Sequence, residues 1–345
     1  MGSQVIRYVD EFRAQLDQAQ RMVTDEMADV WLQASLALDN KVDKLMGEVQ
    51  FAMQNKQAWE LTGDQWLSEL AYYQELRAQT FYEYKMFQDY SVDKVYQRGE
   101  EQARVAAKQS EILMNYVAGG NLPIGYNRLN REGVISLYGR WREGSPLADY
   151  FSGMGNESWS AMRTALLEGM TQGASLQSIA ERMRDVKNVG YKRGLMIART
   201  EVIGANRMST LNSYRESGAV SGYLRVANPN GACMACMLLD GTYYPVSDDM
   251  VDHPNGACGT IPIIPGAEEP KWVHGKEAFL KLNESEQREK MGARFFEEWK
   301  GGSFKLDDMI SWNDSPVFGK SPQVTPLWQL LGKDSPRGML SAREV

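Results

Sequence analysis

The chain has 345 residues, of which 43% are hydrophobic and 24% charged, and its formal net charge is −7 at pH 7. This hydrophobic content is enough for a sizeable core, and at about 150 residues per domain the length suggests two or three domains. The negative balance excludes a generic nucleic-acid binder, because sequence-independent affinity for DNA comes from cationic residues that neutralise phosphates. No apolar run approaches the roughly 20 residues of a membrane span, and the N-terminus lacks a secretory signal, so we expect a soluble protein made in the cytoplasm.

The first segment, residues 1–118, is predicted to fold as long helices. Across residues 5–37, apolar side chains recur at alternating steps of four and three, which is the repeat of a coiled coil or a long bundle helix. Further helices are expected at about 41–59 and 64–117, the last one capped by Asp64. The pattern predicts a helical hairpin or three-helix bundle, and we expect this N-terminal helical arm to act as a docking surface.

Glycine and proline are dense between residues 119 and 156, which is typical of a connector between domains. Helices resume at about 157–169, and Ser175 can cap the short helix that follows. A longer helix is expected at 192–217, because Gly218 suits the left-handed backbone that ends many helices.

The hydrophobic period changes to two after this helix, which predicts a small β-sheet. A strand is expected at 222–227, and the Asp-Gly pair at 240–241 is a hairpin signal that follows another short strand at 236–239. The segment 260–264 is predicted to be an edge strand, because it contains a proline. Residues 157–265 are therefore predicted to form one domain of helices and a sheet.

The C-terminal part, residues 266–345, is predicted to contain a helix at about 276–300, with Asn283 or Ser285 as a cap. The tail beyond Asn313 is rich in proline, glycine, serine and lysine, and we expect it to be extended or disordered. The predicted fold class is α+β and mostly α.

All three cysteines and one of the two histidines form the pattern C-x2-C-x16-H-x4-C, with Cys233, Cys236, His253 and Cys258. Three thiolates and one imidazole are the number and type of ligands that tetrahedral zinc prefers. The two ligand pairs lie on two loops, so one zinc ion per chain would hold together loops that have little core of their own. Because protein would fill all four coordination positions, the pattern predicts a structural and not a catalytic zinc.

Three alternatives stay open for these residues. The cysteines could be reduced structural side chains beside a surface histidine, Cys233 and Cys236 could form a disulfide, or Cys233 and His253 could act as nucleophile and base. The zinc-deaminase signature, the phosphate-binding loop, the H-E-x-x-H motif and the G-x-S-x-G motif are all absent from the sequence. The sequence therefore predicts that the protein is not an enzyme.

The region 181–216 carries eight basic and four acidic residues, which gives a local net charge of +4. Such a helix can contact DNA or an acidic protein surface, or its charges can face solvent. The same region contains Arg199-Thr200-Glu201, for which a catalytic glutamate and an ion-pair network are the alternatives.

Six short motifs follow one another between residues 157 and 265. They are Ser175-Leu176-Gln177-Ser178-Ile179-Ala180, Ile197-Ala198-Arg199-Thr200-Glu201, Tyr214 with Gly218, Cys233-x-x-Cys236, Leu239-Asp240-Gly241 and His253-Pro254-Asn255. In this order they resemble the phage head morphogenesis family, the minor head proteins of tailed phages that include the Mu F-like group. Relatives commonly continue from H-P-N to C-R-C, whereas Gly256 and Ala257 precede Cys258 here.

The resemblance implies a structural protein of the virion. It implies a minor head protein, present in multiple copies inside the capsid near the portal, that acts in head assembly and in DNA packaging or ejection. The implied partners are the portal protein and the inner face of the major capsid protein, with packaged DNA a further partner for the basic helix at 181–216. The alternatives are a zinc-stapled DNA-binding module and a zinc-dependent hydrolase or toxin effector.

Overall fold

The computed structural model describes most of the chain, namely residues 2–54, 67–120, 149, 151–228, 231–268, 272–315 and 319–332. This part of the chain is mostly helical and contains one three-stranded and one two-stranded antiparallel sheet, which confirms the predicted α+β, mostly α fold class. The predicted cap at Asp64, most of the connector at 119–156 and the end of the tail lie outside the described residues. None of the described helices is both long and apolar enough to cross a bilayer.

Two long helices account for the N-terminal part. Helix α1 spans Gly2–Gln54 and helix α2 spans Ala71–Val117. The prediction of a separate helix beginning near residue 41 is wrong, because α1 continues without a break through that position. The apolar stripe that predicted the helix simply runs on, through the buried side chains of Leu38, Val42, Leu45 and Val49.

Three further helices precede the sheet, and their ends follow the predicted signals. Helix α3 spans Met154–Thr171, α4 spans Leu176–Val186 and α5 spans Val189–Ser217. The hydroxyl of Ser175 accepts a hydrogen bond from the backbone N–H of Ser178 at 3.2 Å, which confirms it as the cap of α4. Gly218 has a φ of 63°, the left-handed conformation that ends α5.

The three-stranded sheet follows α5. Strand β1 (Gly222–Val226) is central, with β2 (Tyr243–Pro245) and β3 (Gly259–Ile263) antiparallel on its two sides. The proline in β3 is therefore on an edge strand, as predicted. The strand predicted at 236–239 is wrong: this segment belongs to a short helix, α6 (Met234–Leu238), which buries four of its five residues.

The C-terminal elements differ from the sequence prediction in two ways. The helix predicted at 276–300 is three short helices, because Asn283 caps the second and Gly292, with a φ of 86°, separates the second from the third. The tail, predicted to be extended or disordered, continues as a hairpin and a helical turn as far as residue 332. The elements are α7 (Gly275–Lys281), α8 (Glu284–Met291), α9 (Ala293–Lys300), a 3₁₀ turn (Leu306–Met309), β4 (Ile310–Ser315), β5 (Gly319–Val324) and α10 (Leu327–Leu330).

One compact unit consists of the described parts of Met1–Asp17, Glu101–Leu137 and Ile203–Val345. One of its cores joins the N-terminal end of α1 and the C-terminal end of α2 to the sheet, through Val5, Val9, Leu113, Val117, Val226 and Ile261. A second core contains Cys236 and Cys258. Two of the predicted metal ligands are therefore inside hydrophobic packing.

The other unit consists of the described parts of Gln18–Glu100 and Tyr138–Val202. Its core is aromatic. The ring of Trp31 stacks on that of Tyr191 with 5.3 Å between centroids, and it contacts the ring of Tyr84 at 4.6 Å. Aromatic pairs at such distances contribute beyond their buried area, which explains Trp31 of α1 and Tyr84 of α2 as packing residues.

Candidate metal centre

The predicted ligands are placed by one short helix and one loop. Cys233 is the N-cap residue of α6, and Cys236 lies one helical turn later. The backbone N–H of Met237 donates to the carbonyl of Cys233 at 2.9 Å, which closes that turn. Residues three apart lie on one face of a helix, so both sulfurs point to the same side. His253 and Cys258 come from the loop that joins β2 to β3.

The structure brings the four predicted ligands close together. The sulfur of Cys233 lies 3.7 Å from Nε2 of His253. The donor atoms of Cys233, Cys236 and His253 all lie within 4.8 Å of one another, and those of Cys236, Cys258 and Asp252 meet the same limit. Tetrahedral zinc–thiolate geometry requires donor separations of about 3.8 Å. The arrangement is therefore able to bind a metal ion with modest movement of the side chains.

Burial and mutual hydrogen bonds set the protonation of these groups. All three cysteines are free thiols, with Cys236 and Cys258 buried and Cys233 half-buried. A hydrogen bond from Cys236, helped by the neighbouring His253, lowers the pKa of Cys233 to about 4, and the bond to Cys233 raises the pKa of His253 to about 9. Interaction with the same thiol, that of Cys236, also lowers the pKa of Cys258 to about 7, and the interactions with both neighbouring sulfurs raise the pKa of Cys236 itself. Cys233 is thus favoured as a thiolate, the form that binds metal, and the pKa of Cys258 lies near neutrality.

Asp252 is a central residue of this site that the sequence reasoning missed. Its side chain is fully buried, and its two carboxylate oxygens accept the backbone N–H groups of His253 at 3.0 Å and Cys258 at 3.3 Å. Two guanidinium groups complete its surroundings, Arg225 at 2.8 Å and Arg207 at 3.0 Å. Burial alone would raise the pKa of Asp252, but the charges of Arg207 and Arg225 lower it below its usual value.

Arg225 connects this carboxylate to a ligand sulfur. Its side chain is 1% exposed although it lies in the middle of β1. One Nη atom donates to the carbonyl of Val251 at 2.8 Å, and the other donates to Asp252 and lies 3.4 Å from the sulfur of Cys236. The only sequence signal for this role was a single arginine at an inward position of a strand, which is too common a feature to assign a site.

A second carboxylate, that of Asp240, fixes the chain just after the end of α6. It accepts the backbone N–H of Ala227 at 2.8 Å and the indole N–H of Trp272 at 3.2 Å. The next residue, Gly241, has a φ of 77° and donates its N–H to the carbonyl of Arg225 at 2.8 Å. Asp240 and Gly241 therefore anchor the end of α6 to β1.

Most basic residues of the region 181–216 are occupied in ion pairs. Among the described residues, five of the eight lie within 4.0 Å of a carboxylate, namely Arg184, Lys187, Arg193, Arg207 and Arg215. The pairing of Lys187 with Asp39 is almost fully buried on the lysine side. Most of these basic side chains are thus paired with carboxylates of the same chain.

The Arg199-Thr200-Glu201 motif lies within α5. The hydroxyl of Thr200 donates to the carbonyl of Met196 at 2.7 Å, a bond within the helix. Burial raises the pKa of Glu201 to about 7, and no ion pair or hydrogen bond to its carboxyl group is found among the described residues. The predicted ion-pair network around Glu201 is not seen in that part of the chain.

Comparison with known proteins gives no match: no family model, no curated protein and no solved structure is similar to this chain. The resemblance to phage minor head proteins therefore rests on the motif residues alone and enters below only as a proposal.

Proposed function

We propose that this protein is a structural minor head protein of a tailed phage, and that one zinc ion bound by Cys233, Cys236, His253 and Cys258 holds α6 and the β2–β3 loop together. The observation that carries the zinc assignment is the convergence of three thiols and one imidazole from two separate segments. The role in the phage head rests on the motifs that the sequence shares with head morphogenesis proteins.

The donor set favours zinc. Thiolates and imidazole are soft or borderline ligands, whereas calcium and magnesium prefer oxygen. Four protein donors leave no position for a water molecule, so the ion would be structural. When bound, zinc supplies four coordinate bonds between segments whose strands are only three and five residues long. The free energy of metal binding then becomes free energy of folding.

The shared motifs have structural tasks around this centre, which supports a non-enzymatic role. Asp240 and Gly241 anchor α6 to β1. In the His253-Pro254-Asn255 motif, Asn255 has a φ of 61°, a left-handed conformation that asparagine tolerates better than most residues. A motif made of a metal ligand and turn-forming residues is expected of a structural domain.

The rival DNA-binding module receives less support. The sequence feature that favoured it was the local positive charge of the region 181–216. Most of the basic residues there are held in ion pairs. Releasing these cations for phosphates would break contacts within the protein. We therefore assign the region a mainly structural role.

The zinc assignment is tested by metal analysis of the purified protein. We expect about one zinc per chain in the wild type. The variants Cys236→Ser, Cys258→Ser and His253→Asn should lose the zinc and be cleaved faster by protease within residues 231–268. His274→Asn is the matched control, because His274 is the only other histidine in the sequence and its side chain is exposed. Well below one zinc in the wild type, with protease resistance unchanged by a chelator, would falsify the site.

The assignment to the phage head is tested by fractionating particles from cells in which the gene is expressed with its neighbours. We expect the protein to co-sediment with procapsids and to remain with the portal ring after mild disassembly of the heads. Heads that assemble, package DNA and contain none of this protein would contradict the proposal.

A further inference from the structure

We propose that Arg225, Asp252 and Arg207 form an outer shell of the metal centre, that is, a set of residues that contact the ligands and not the metal. This outer shell positions the ligands and balances the charge that zinc binding creates. This inference rests on the proposed zinc site and deepens it. None of the three residues is a metal ligand in it. They are positioning residues, each acting through a ligand that it contacts.

The outer shell fixes the position of the β2–β3 loop. The carboxylate of Asp252 accepts one backbone N–H from His253 and another from Cys258. A single buried group therefore fixes the backbone at both ligands of the β2–β3 loop. Arg207 adds a hydrogen bond to the carbonyl of Gly256 at 2.8 Å, between these two ligands. The loop is held in shape by the outer shell and not by secondary structure.

The sulfur of Cys236 is also in contact with the outer shell. It lies 3.5 Å from a carboxylate oxygen of Asp252, a distance that suits a thiol but brings two negative charges together once the thiol is deprotonated. The Nη2 atom of Arg225 is 3.4 Å from this sulfur and 2.8 Å from the same oxygen. A guanidinium shared between the two anions removes their repulsion and donates a charge-assisted hydrogen bond to the sulfur. Arg225 therefore bridges the carboxylate of Asp252 and a sulfur that would coordinate the metal.

The outer shell also balances the charge of the centre. A zinc ion with three thiolates carries one net negative charge, and Asp252 carries another. The side chains of Arg225 and Arg207, which are 1% and 14% exposed, carry one positive charge each. These buried charges cancel when zinc is bound by three thiolates. Since uncompensated buried charge is costly, the two guanidinium groups suit a zinc centre of this composition.

The test uses the full chain and compares Arg225→Met and Arg225→Lys with the wild type. Arg294→Met is the control, because Arg294 is an exposed arginine of the same compact unit. Zinc affinity is measured by competition with a chelator, and cobalt(II) replaces zinc to report the sulfur-to-metal charge-transfer band. We expect Arg225→Met to weaken zinc binding about 10- to 100-fold, the usual effect of removing an outer-shell partner.

The cobalt band distinguishes a positioning role of Arg225 from a general effect of the substitution on protein stability. Loss of a hydrogen bond to a thiolate raises the energy of the sulfur electrons, so we expect the band of Arg225→Met to move to longer wavelength. Arg225→Lys keeps the charge and should recover part of the affinity. Arg294→Met should match the wild type in both measurements. If Arg225→Met does not fold, Arg207→Met is measured in its place, with the same expected weakening of zinc binding.

Two outcomes overturn the inference, and they are distinguishable. If the wild type binds zinc, and a folded Arg225→Met or Arg207→Met binds it with unchanged affinity and an unchanged cobalt band, only the outer-shell role is wrong. A wild-type protein that binds no zinc overturns the proposed site and the inference together.

Discussion

Asp252 constrains other residues around it as well as the proposed metal ligands. A β-carbon on Gly256 would lie 2.4 Å from the carboxyl carbon of Asp252 and 2.5 and 2.6 Å from its oxygens, closer than real side chains approach. The buried carboxylate therefore leaves no room for a side chain at position 256.

The first prediction follows from this crowding. Gly256→Ala should destabilise the zinc-bound protein by about 1–3 kcal/mol, the range for overpacking a buried site. The free energy of unfolding in urea measures it. Gly259→Ala is the matched control, since a β-carbon at Gly259 meets no atom within 4 Å. Equal effects of the two substitutions would show that Asp252 does not exclude a side chain.

The buried carboxyl group of Glu201 leads to a prediction about pH. Its pKa is raised from 4.5 to about 7, so the folded protein holds this proton more tightly than the unfolded chain does. The carboxyl group therefore lowers the free energy of unfolding progressively as the pH rises from about 4.5 to 7. Above about pH 7 this destabilisation stays at its full value. Glu201→Gln should be nearly neutral at pH 4 and should stabilise the protein by up to about 3 kcal/mol at pH 8.

The measurement is the free energy of unfolding at the two pH values. Glu216→Gln, at an exposed position of the same helix, should change neither value. A Glu201→Gln effect that is the same at pH 4 and pH 8 would show that the carboxyl group is not held protonated by burial.

At the scale of elements, local capping decides where the C-terminal helices begin. The sequence left Asn283 and Ser285 as alternative caps. In the structure the side chain of Asn283 accepts the backbone N–H of Glu286 at 3.0 Å, and the Glu286 carboxylate accepts the backbone N–H of Asn283 at 3.0 Å. This reciprocal capping box starts α8 at Glu284 and thereby ends the preceding helix.

We predict that Asn283→Ala costs about 1 kcal/mol of stability, because it leaves a backbone N–H at the start of α8 without its acceptor. Ser285→Ala, two residues later and equally exposed, should cost much less. Thermal unfolding of the two variants side by side checks the difference. A larger loss of stability in Ser285→Ala would show that Ser285 is the capping residue.

At the scale of the whole molecule, the N-terminal residues are part of a core with the sheet. Val5 and Val9 pack with Val226 and Ile261, and the side chain of Arg13 donates to the carbonyl of Ala227 at 3.1 Å. Removing the first 118 residues would therefore expose buried apolar surface of β1 and β3. Such a truncation cannot separate a docking role of these helices from a folding role.

Single substitutions test this integration more cleanly. Val9→Ala should destabilise the protein by about 1–3 kcal/mol, because a buried side chain is replaced by a cavity. Ile6→Ala, at a position 40% exposed on the same helix, should have a small effect, and both are measured by unfolding in urea. If Val9→Ala has no larger effect than Ile6→Ala, the N-terminal end of α1 does not stabilise this core.

Features that depend on local patterns could be predicted from the sequence. The buried stripe of α1, the caps at Ser175 and Gly218, the strand β1 and the grouping of the four predicted ligands all follow from residue spacing and from the chemistry of single side chains. These signals are short-range, so the rest of the fold is not needed to recognise them.

The surroundings of the proposed metal centre depend on tertiary structure. The segment 236–239 was predicted wrongly because a continuous apolar run does not distinguish a strand from a helix, and the helix α6 buries four of its five residues. Asp252 and Arg225 are 27 positions apart in sequence and meet only when β1 and the β2–β3 loop come together. A buried pairing of an aspartate with an arginine cannot be predicted from these residue types alone, because both are mostly found on protein surfaces. Their role depends on burial, which is a property of the assembled fold.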